Sequence, residues 1–272
     1  MANYEDRINM KTKRIWELDF LRGFSIIMMV WDHLMYDLKS LPYWFSNYRE
    51  IEIPLIERWV EFAHTYWYST LREYGHWVFV AIFLLVSGIS FTFSHSNLHR
   101  GIKLLIVAII ISVVTMSIES ISGLGIGIFF GIIHMFAVGT ILIYLIRKLW
   151  DNNIFILIIG LTIIFLGFVI EWDNVSYYNS ITFSNFWEII LGLKGYGADH
   201  FGIIPYVGVI MVGTVIGKVF YPNRVSLLPK WDKKWNRVFT FAGQKSLIIF
   251  ITHQVIIAGI IFIVGYFLGY TF

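Results

Sequence analysis

Apolar residues along this chain come in long runs separated by short polar stretches. A bilayer core of about 30 Å takes roughly 20 residues of helix, because each residue rises about 1.5 Å. Seven runs fit that template, over residues 15–36, 76–94, 102–121, 126–146, 154–170, 203–221 and 239–266. The last is long enough to tilt or kink. The pattern predicts an all-α, polytopic transmembrane helix bundle of about seven spans. In the stretch 38–75, Ile56, Trp59, Val60, Ala63 and Trp67 recur at helical spacing, with Glu57, Arg58 and Glu61 on the other side. That is the pattern of an amphipathic helix lying in the membrane interface.

Charge sets the orientation. Of the 21 Lys and Arg, only Lys39, Arg49, Arg58, Arg72 and Lys194 fall on the side opposite the N-terminus. The positive-inside bias then places residues 1–13 and the basic loop 222–238 in the cytoplasm, the loops 38–75 and 171–202 outside, and the C-terminus outside. The loop 171–202 is rich in Trp, Tyr, Asn and Gly, as expected of a substrate entrance. The first run contains Glu17, Asp19 and Arg22 and lacks a small-residue cleavage site, so it reads as a retained helix rather than a signal peptide. With no internal repeat and no room for a soluble domain in the loops, residues 1–272 read as one membrane domain.

Composition agrees: 57% of residues are hydrophobic, 14% are charged, and the mean hydropathy is +0.69, which excludes an ordinary soluble enzyme. The net charge of +3 is spread over short loops and makes no nucleic-acid footprint. Membrane lipids are the expected surroundings, and such a surface leaves room for a homo-oligomer. The absence of Cys removes disulfides, thiolate metal sites and a cysteine nucleophile.

Ionisable groups inside a span cost several kcal/mol unless they are paired or wet, so each is a functional candidate. Asp19 and Arg22 share a helix face and are expected to pair. Asp32 and His33 fall near the end of the first run, where a carboxylate can orient an imidazole for base chemistry. Adjacent helical residues diverge by about 100°, so Asp32 need not touch His33 itself. His134 lies eight residues into the fourth run, about 12 Å deep. His253 and Gln254 fall near the middle of the last run, with Lys245 two turns earlier. His76 opens the second run, and Asp199, His200 and Pro205 open the sixth. His64, His95 and His99 read as interface or loop residues. No histidine recurs with carboxylates at metal-binding spacing inside a span, so no metal is expected.

The motifs that hold these residues occur in a recognisable order. They are Leu18-Asp19-Phe20-Leu21-Arg22-Gly23, Asp32-His33, Phe83-Leu84-Leu85-Val86-Ser87-Gly88, Gly131-Ile132-Ile133-His134, Ala198-Asp199-His200-Phe201 with Pro205, and Gly243-Gln244-Lys245-Ser246-Leu247 followed by His253-Gln254. Together they resemble the bacterial branch of the heparan-alpha-glucosaminide N-acetyltransferase family of transmembrane acyltransferases. The resemblance implies a protein of the bacterial cytoplasmic membrane that moves acetyl from cytosolic acetyl-CoA, as co-substrate, to an amino-sugar or glycan acceptor on the far side. It implies His33, Asp32, His134 and His253 as catalytic residues, with His33 the base and Asp32 its orienter or a binder of the amine. Arg22, Lys218, Lys245 and Ser246 would hold acetyl-CoA, and His76, Asp199, His200 and Gln254 the acceptor. Lysosomal members carry a candidate catalytic histidine in the loop after the first span, and residues 39–61 contain none. The alternative reading is a proton-coupled transporter of a small molecule, since intramembrane His and Asp also build proton relays; the chain lacks the repeats and broken helices typical of transporters.

Overall fold

A computed structural model describes residues 14–123 and 125–271; the expected cytoplasmic segment 1–13 lies outside the described residues. The described chain is all-α. Its ten helices are α1 (Trp16–Trp44), α2 (Pro54–Trp67), α3 (Thr70–Phe91), α4 (Asn97–Ser122), α5 (Ile132–Leu149), α6 (Asn153–Val169), α7 (Phe186–Leu191), α8 (Tyr206–Phe220), α9 (Arg237–Gln244) and α10 (Ser246–Phe267). Helices α3, α4, α5 and α10 are each long and apolar enough to cross a membrane, whereas α6 and α8 are shorter apolar helices of 17 and 15 residues. α4 exposes Ile106, Ile109, Ile110, Val113 and Val114, and α10 exposes Val255, Ile256, Ile260 and Ile263. Surfaces of this kind suit hydrocarbon and not water, and the chain is a membrane protein.

Three differences between the helix ends and the expected runs bear on the polar residues. α1 does not stop at Tyr36 but continues through Pro42 to Trp44, which puts Asp32 and His33 inside the helix rather than at its exit. The fourth helix starts at Ile132 rather than at residue 126, because Ile128 is drawn into a bridge with Gly197. His134 therefore stands in the first turn of α5, not two turns down it. The last run is broken at Lys245, which leaves the helical conformation between α9 and α10. Local chemistry sets other ends. The Asn152 carboxamide accepts from the N–H groups of Ile154 and Phe155 at 2.9 and 3.1 Å to cap α6, and Gly123 closes α4 with a φ of 63°.

The chain divides into two compact units. One comprises the described residues up to Phe83 together with those from Val225, and the other is Leu84–Arg224. In the first, α1 lies against α9 with no side chains between their backbones: a Cβ on Gly23 would overlap the Phe239 carbonyl, and one on Gly243 would overlap that of Asp19. In a membrane such close approach replaces the hydrophobic drive that water would supply. Phe20 flanks the contact, edge-on to Trp235 and Phe239 at 5.3 and 5.0 Å. At the other end of α1, Phe45 stacks on Tyr270 at 5.0 Å. The amphipathic helix expected in 38–75 is α2. Its Ala63 is buried and Ile56 and Val60 pack on the Leu41, Phe45 and Tyr270 cluster, but Trp59 is exposed. In the second unit, Gly160 of α6 and Gly208 of α8 also meet closely: a Cβ on either would come within 3.0 Å of the other's carbonyl oxygen.

Candidate functional site

Helix α1 carries polar groups on two faces. The face towards α9 and α10 holds Asp19, Gly23, His33 and Asp37, and Asp32 points elsewhere, as the 100° step between neighbours requires.

Asp32 is buried and takes two hydrogen bonds and one ion pair. The Tyr66 hydroxyl donates to Oδ1 at 2.7 Å, His76 Nδ1 lies 3.1 Å from Oδ2, and the Arg72 guanidinium is 3.4 Å away. Trp67 lies under the Arg72 guanidinium at 3.8 Å and holds it in place. Because a carboxylate only accepts, His76 presents N–H at Nδ1. The imidazole that Asp32 orients is thus His76 and not His33. Burial, with the hydrogen bond to Asp32, pushes the Tyr66 phenol above its usual range, so it stays a donor. His76 stands well inside α3 rather than at its start.

His33 meets His253 of α10 edge to face, with 4.8 Å between ring centroids. Nδ1 of His253 lies 2.7 Å from the Phe250 carbonyl and 3.2 Å from that of Ile249, so it carries the proton. Nε2 is therefore a lone pair, buried and without a partner. About one helical turn along, the Gln254 amide donates to both oxygens of Asp37 at 3.0 and 2.9 Å. Asp37 has no exposed surface, and Gln254 Oε1 is buried with no donor.

In the second unit, His134 is fully engaged. Its Nδ1 accepts from the Gly131 N–H at 3.3 Å, which leaves Nε2 to donate to Ser112 Oγ at 3.0 Å, and Ser112 in turn donates to the Phe129 carbonyl. That chain ties the first turn of α5 to α4. Asp199, at a φ of 48°, accepts from the Ile132 N–H, and an oxygen of its carboxylate lies 2.8 Å from where a Gly131 Cβ would stand. It supplies the negative charge that a helix N-terminus favours. Burial nonetheless pushes the Asp199 carboxyl up to about 7. His200 packs against Tyr177 at 6.1 Å between ring centroids, and both its nitrogens are buried without partners; burial pulls it down to about 4. His134 has no hydrogen-bonding capacity left for a ligand, whereas both nitrogens of His200 are unused.

The four residues expected at the acetyl-CoA end fare differently. Arg22 is bonded to Asp19 at 3.3 Å, as the helix spacing predicts. Lys245 is exposed at the break between α9 and α10, and Ser246 opens α10. Lys218 is committed to Asp151 at 2.5 Å, which also takes Arg147 at 2.7 Å. The Lys218 ammonium holds the Asp151 carboxyl below the usual carboxylate range. Arg147 is buried and donates to Thr214 Oγ1 at 2.6 Å, a structural tie between α5 and α8.

Sequence reasoning missed Asp37, Tyr66, Arg72 and Ser112. Asp37 had a usable signal, since it follows His33 by four residues and so shares its face. The others are brought in by the packing of α2, α3 and α4, which no local pattern encodes. An open groove of about 400 Å³, lined by residues that include Lys39, Tyr43, Glu57, Glu61 and His64, lies on the first unit, but His33, His76 and His253 do not line it.

Comparison with known proteins adds one finding. The family model described as heparan-alpha-glucosaminide N-acetyltransferase, catalytic, matches residues 14–255, a span that contains every group above. No curated protein and no solved structure matches the chain.

Proposed function

Because the chain belongs to the heparan-alpha-glucosaminide N-acetyltransferase family, we propose that it is a transmembrane N-acetyltransferase. It takes acetyl from cytosolic acetyl-CoA and passes it to the amine of a glucosamine-type sugar on the far side of a bacterial cytoplasmic membrane, with its N-terminus inside. The observation that carries this reading is the His33–His253 pair, in which a buried imidazole lone pair is held ready with no partner of its own.

An amine attacks a thioester only as the free base, while an amino sugar arrives largely as its ammonium. The proton must go to a group of near-neutral basicity. His253 is prepared for it: the Phe250 carbonyl fixes its tautomer and leaves Nε2 open. The neutral nitrogen then attacks the thioester carbonyl, the carbon–sulfur bond breaks, and the thiolate of CoA takes up a proton. The balance is one ammonium and one acetyl-CoA to one N-acetyl sugar, one CoA thiol and one proton. His33 was the expected base; the geometry favours His253, with His33 as the ring that flanks it. Asp32 with Tyr66 and Arg72 holds His76, whose open Nε2 is suited to sugar hydroxyls. Lys245, exposed and unpaired among the described ion pairs, suits a CoA phosphate better than Lys218, whose ammonium is held by Asp151.

The test is turnover. Purified protein with acetyl-CoA and methyl glucosaminide should release CoA and N-acetyl product in equal amounts by mass spectrometry, and methyl glucoside should give neither. Proton-coupled solute uptake into liposomes without any acetyl transfer would favour the transporter reading instead.

A further inference from the structure

We propose that Asp37, together with Gln254, is the anionic seat for the acceptor's ammonium group, a role that rests on the acetyltransferase reading for its chemistry but not for its binding test. A carboxylate offers about four acceptor positions. Asp37 uses two, both filled by the single amide nitrogen of Gln254. Its side chain has no solvent to complete the shell, and among the described residues no cationic side chain pairs with it. A buried charge in that condition is costly, and evolution retains such groups where a ligand supplies the missing counter-charge.

The same stretch of α10 carries two more acceptors without donors. Gln254 Oε1 and His253 Nε2 are both buried and both unpartnered. Gln254 therefore presents a lone pair next to an under-filled carboxylate, and His253, which meets His33 one turn away on α1, carries another, with no hydrogen donor among them to spare. A hydroxyl would bring one hydrogen to this set. A primary ammonium brings three, together with the positive charge. The ligand class that fits is a primary amine on a small polar scaffold, as in an amino sugar. The seat also lies where the chemistry needs it: Asp37 follows His33 on α1 by four residues, which sets the two rungs about 6 Å apart along the helix. The ammonium is held one turn from the His33–His253 pair that takes its proton.

Asp37→Asn keeps an acceptor for the Gln254 amide and removes an unpaired buried charge, so the variant is expected to fold at least as well as the parent. With methyl glucosaminide as acceptor, it should raise the KM for the amine by about 10- to 100-fold, the loss expected for a charge-assisted contact. The KM for acetyl-CoA should stay unchanged and kcat at saturation should fall far less. In a second arm without acetyl-CoA, methyl glucosaminide should raise the melting temperature of the parent protein and methyl glucoside should not, and the difference should vanish in Asp37→Asn. Loss of amine-selective stabilisation in a protein that shows no turnover would sink the acetyltransferase reading and leave the seat in place. Unchanged KM for the amine in an active Asp37→Asn protein would overturn the seat and leave the enzyme. Equal stabilisation of the parent by both sugars, without turnover, would overturn both.

Discussion

His33 and His253 meet edge to face with 4.8 Å between ring centroids, although 220 positions separate them in the chain. The contact joins the first and last long helices of one compact unit, and in His253 the Phe250 carbonyl engages Nδ1 and leaves Nε2 without a partner.

His253→Ala should lower kcat by about 10²- to 10⁴-fold, the usual cost of losing a general base, with little change in the KM for acetyl-CoA. His33→Ala should cost less. Steady-state kinetics in detergent compares the two, and a His253→Ala protein with full kcat would remove His253 from the mechanism.

Asp32→Ala removes the acceptor of Tyr66 and His76 and the counter-charge of Arg72 together. An uncompensated partner in a buried ion pair costs about 3–5 kcal/mol, so the melting temperature should fall clearly. Asp32→Asn should recover part of it, since an amide oxygen still accepts from Tyr66. Equal melting temperatures for Asp32→Ala and the parent would show that the cluster is not formed.

Gly23→Ala would place a Cβ in the Phe239 carbonyl, whereas a Cβ on Gly259 meets nothing within 4 Å. The first substitution should force α1 and α9 apart and reduce the yield of monodisperse protein; Gly259→Ala should not. Size-exclusion profiles of the two variants decide it.

Asp199 predicts a pH dependence of stability. Its folded-state pKa of about 7 lies above the ordinary 3.8, because burial disfavours the carboxylate. Between those values the folded chain keeps a proton that the unfolded chain has lost. The contribution to stability is therefore complete below about pH 4 and fades as the pH rises through about 7. Asp199→Asn should flatten the melting-temperature profile across that window. An identical slope in both proteins would count against the buried carboxyl.

Much of the fold was legible because hydrocarbon imposes one rule on every span: long apolar helices with backbone groups satisfied internally. The amphipathic α2 was legible from Ile56, Val60 and Ala63, and the Asp19–Arg22 pair from its spacing. What could not be read were features decided at a distance. The start of α5 moved to Ile132 because Ile128 bridges to Gly197. That shift turned His134 from a deep polar residue into the tie between a helix start and Ser112. Pairing decided the site in the same way. Asp32 stands next to His33 in sequence and serves His76 in space, and Asp37 gains its meaning only once α10 lays Gln254 beside it.

The central claim is that acetyl crosses the membrane from acetyl-CoA to an amine. It is tested most directly in proteoliposomes loaded with acetyl-labelled acetyl-CoA, with a membrane-impermeant glucosaminide outside. The account predicts N-acetylated sugar in the outer medium and CoA retained in the lumen, both lost in His253→Ala. Acetylated product that forms only when donor and acceptor share one compartment would contradict it.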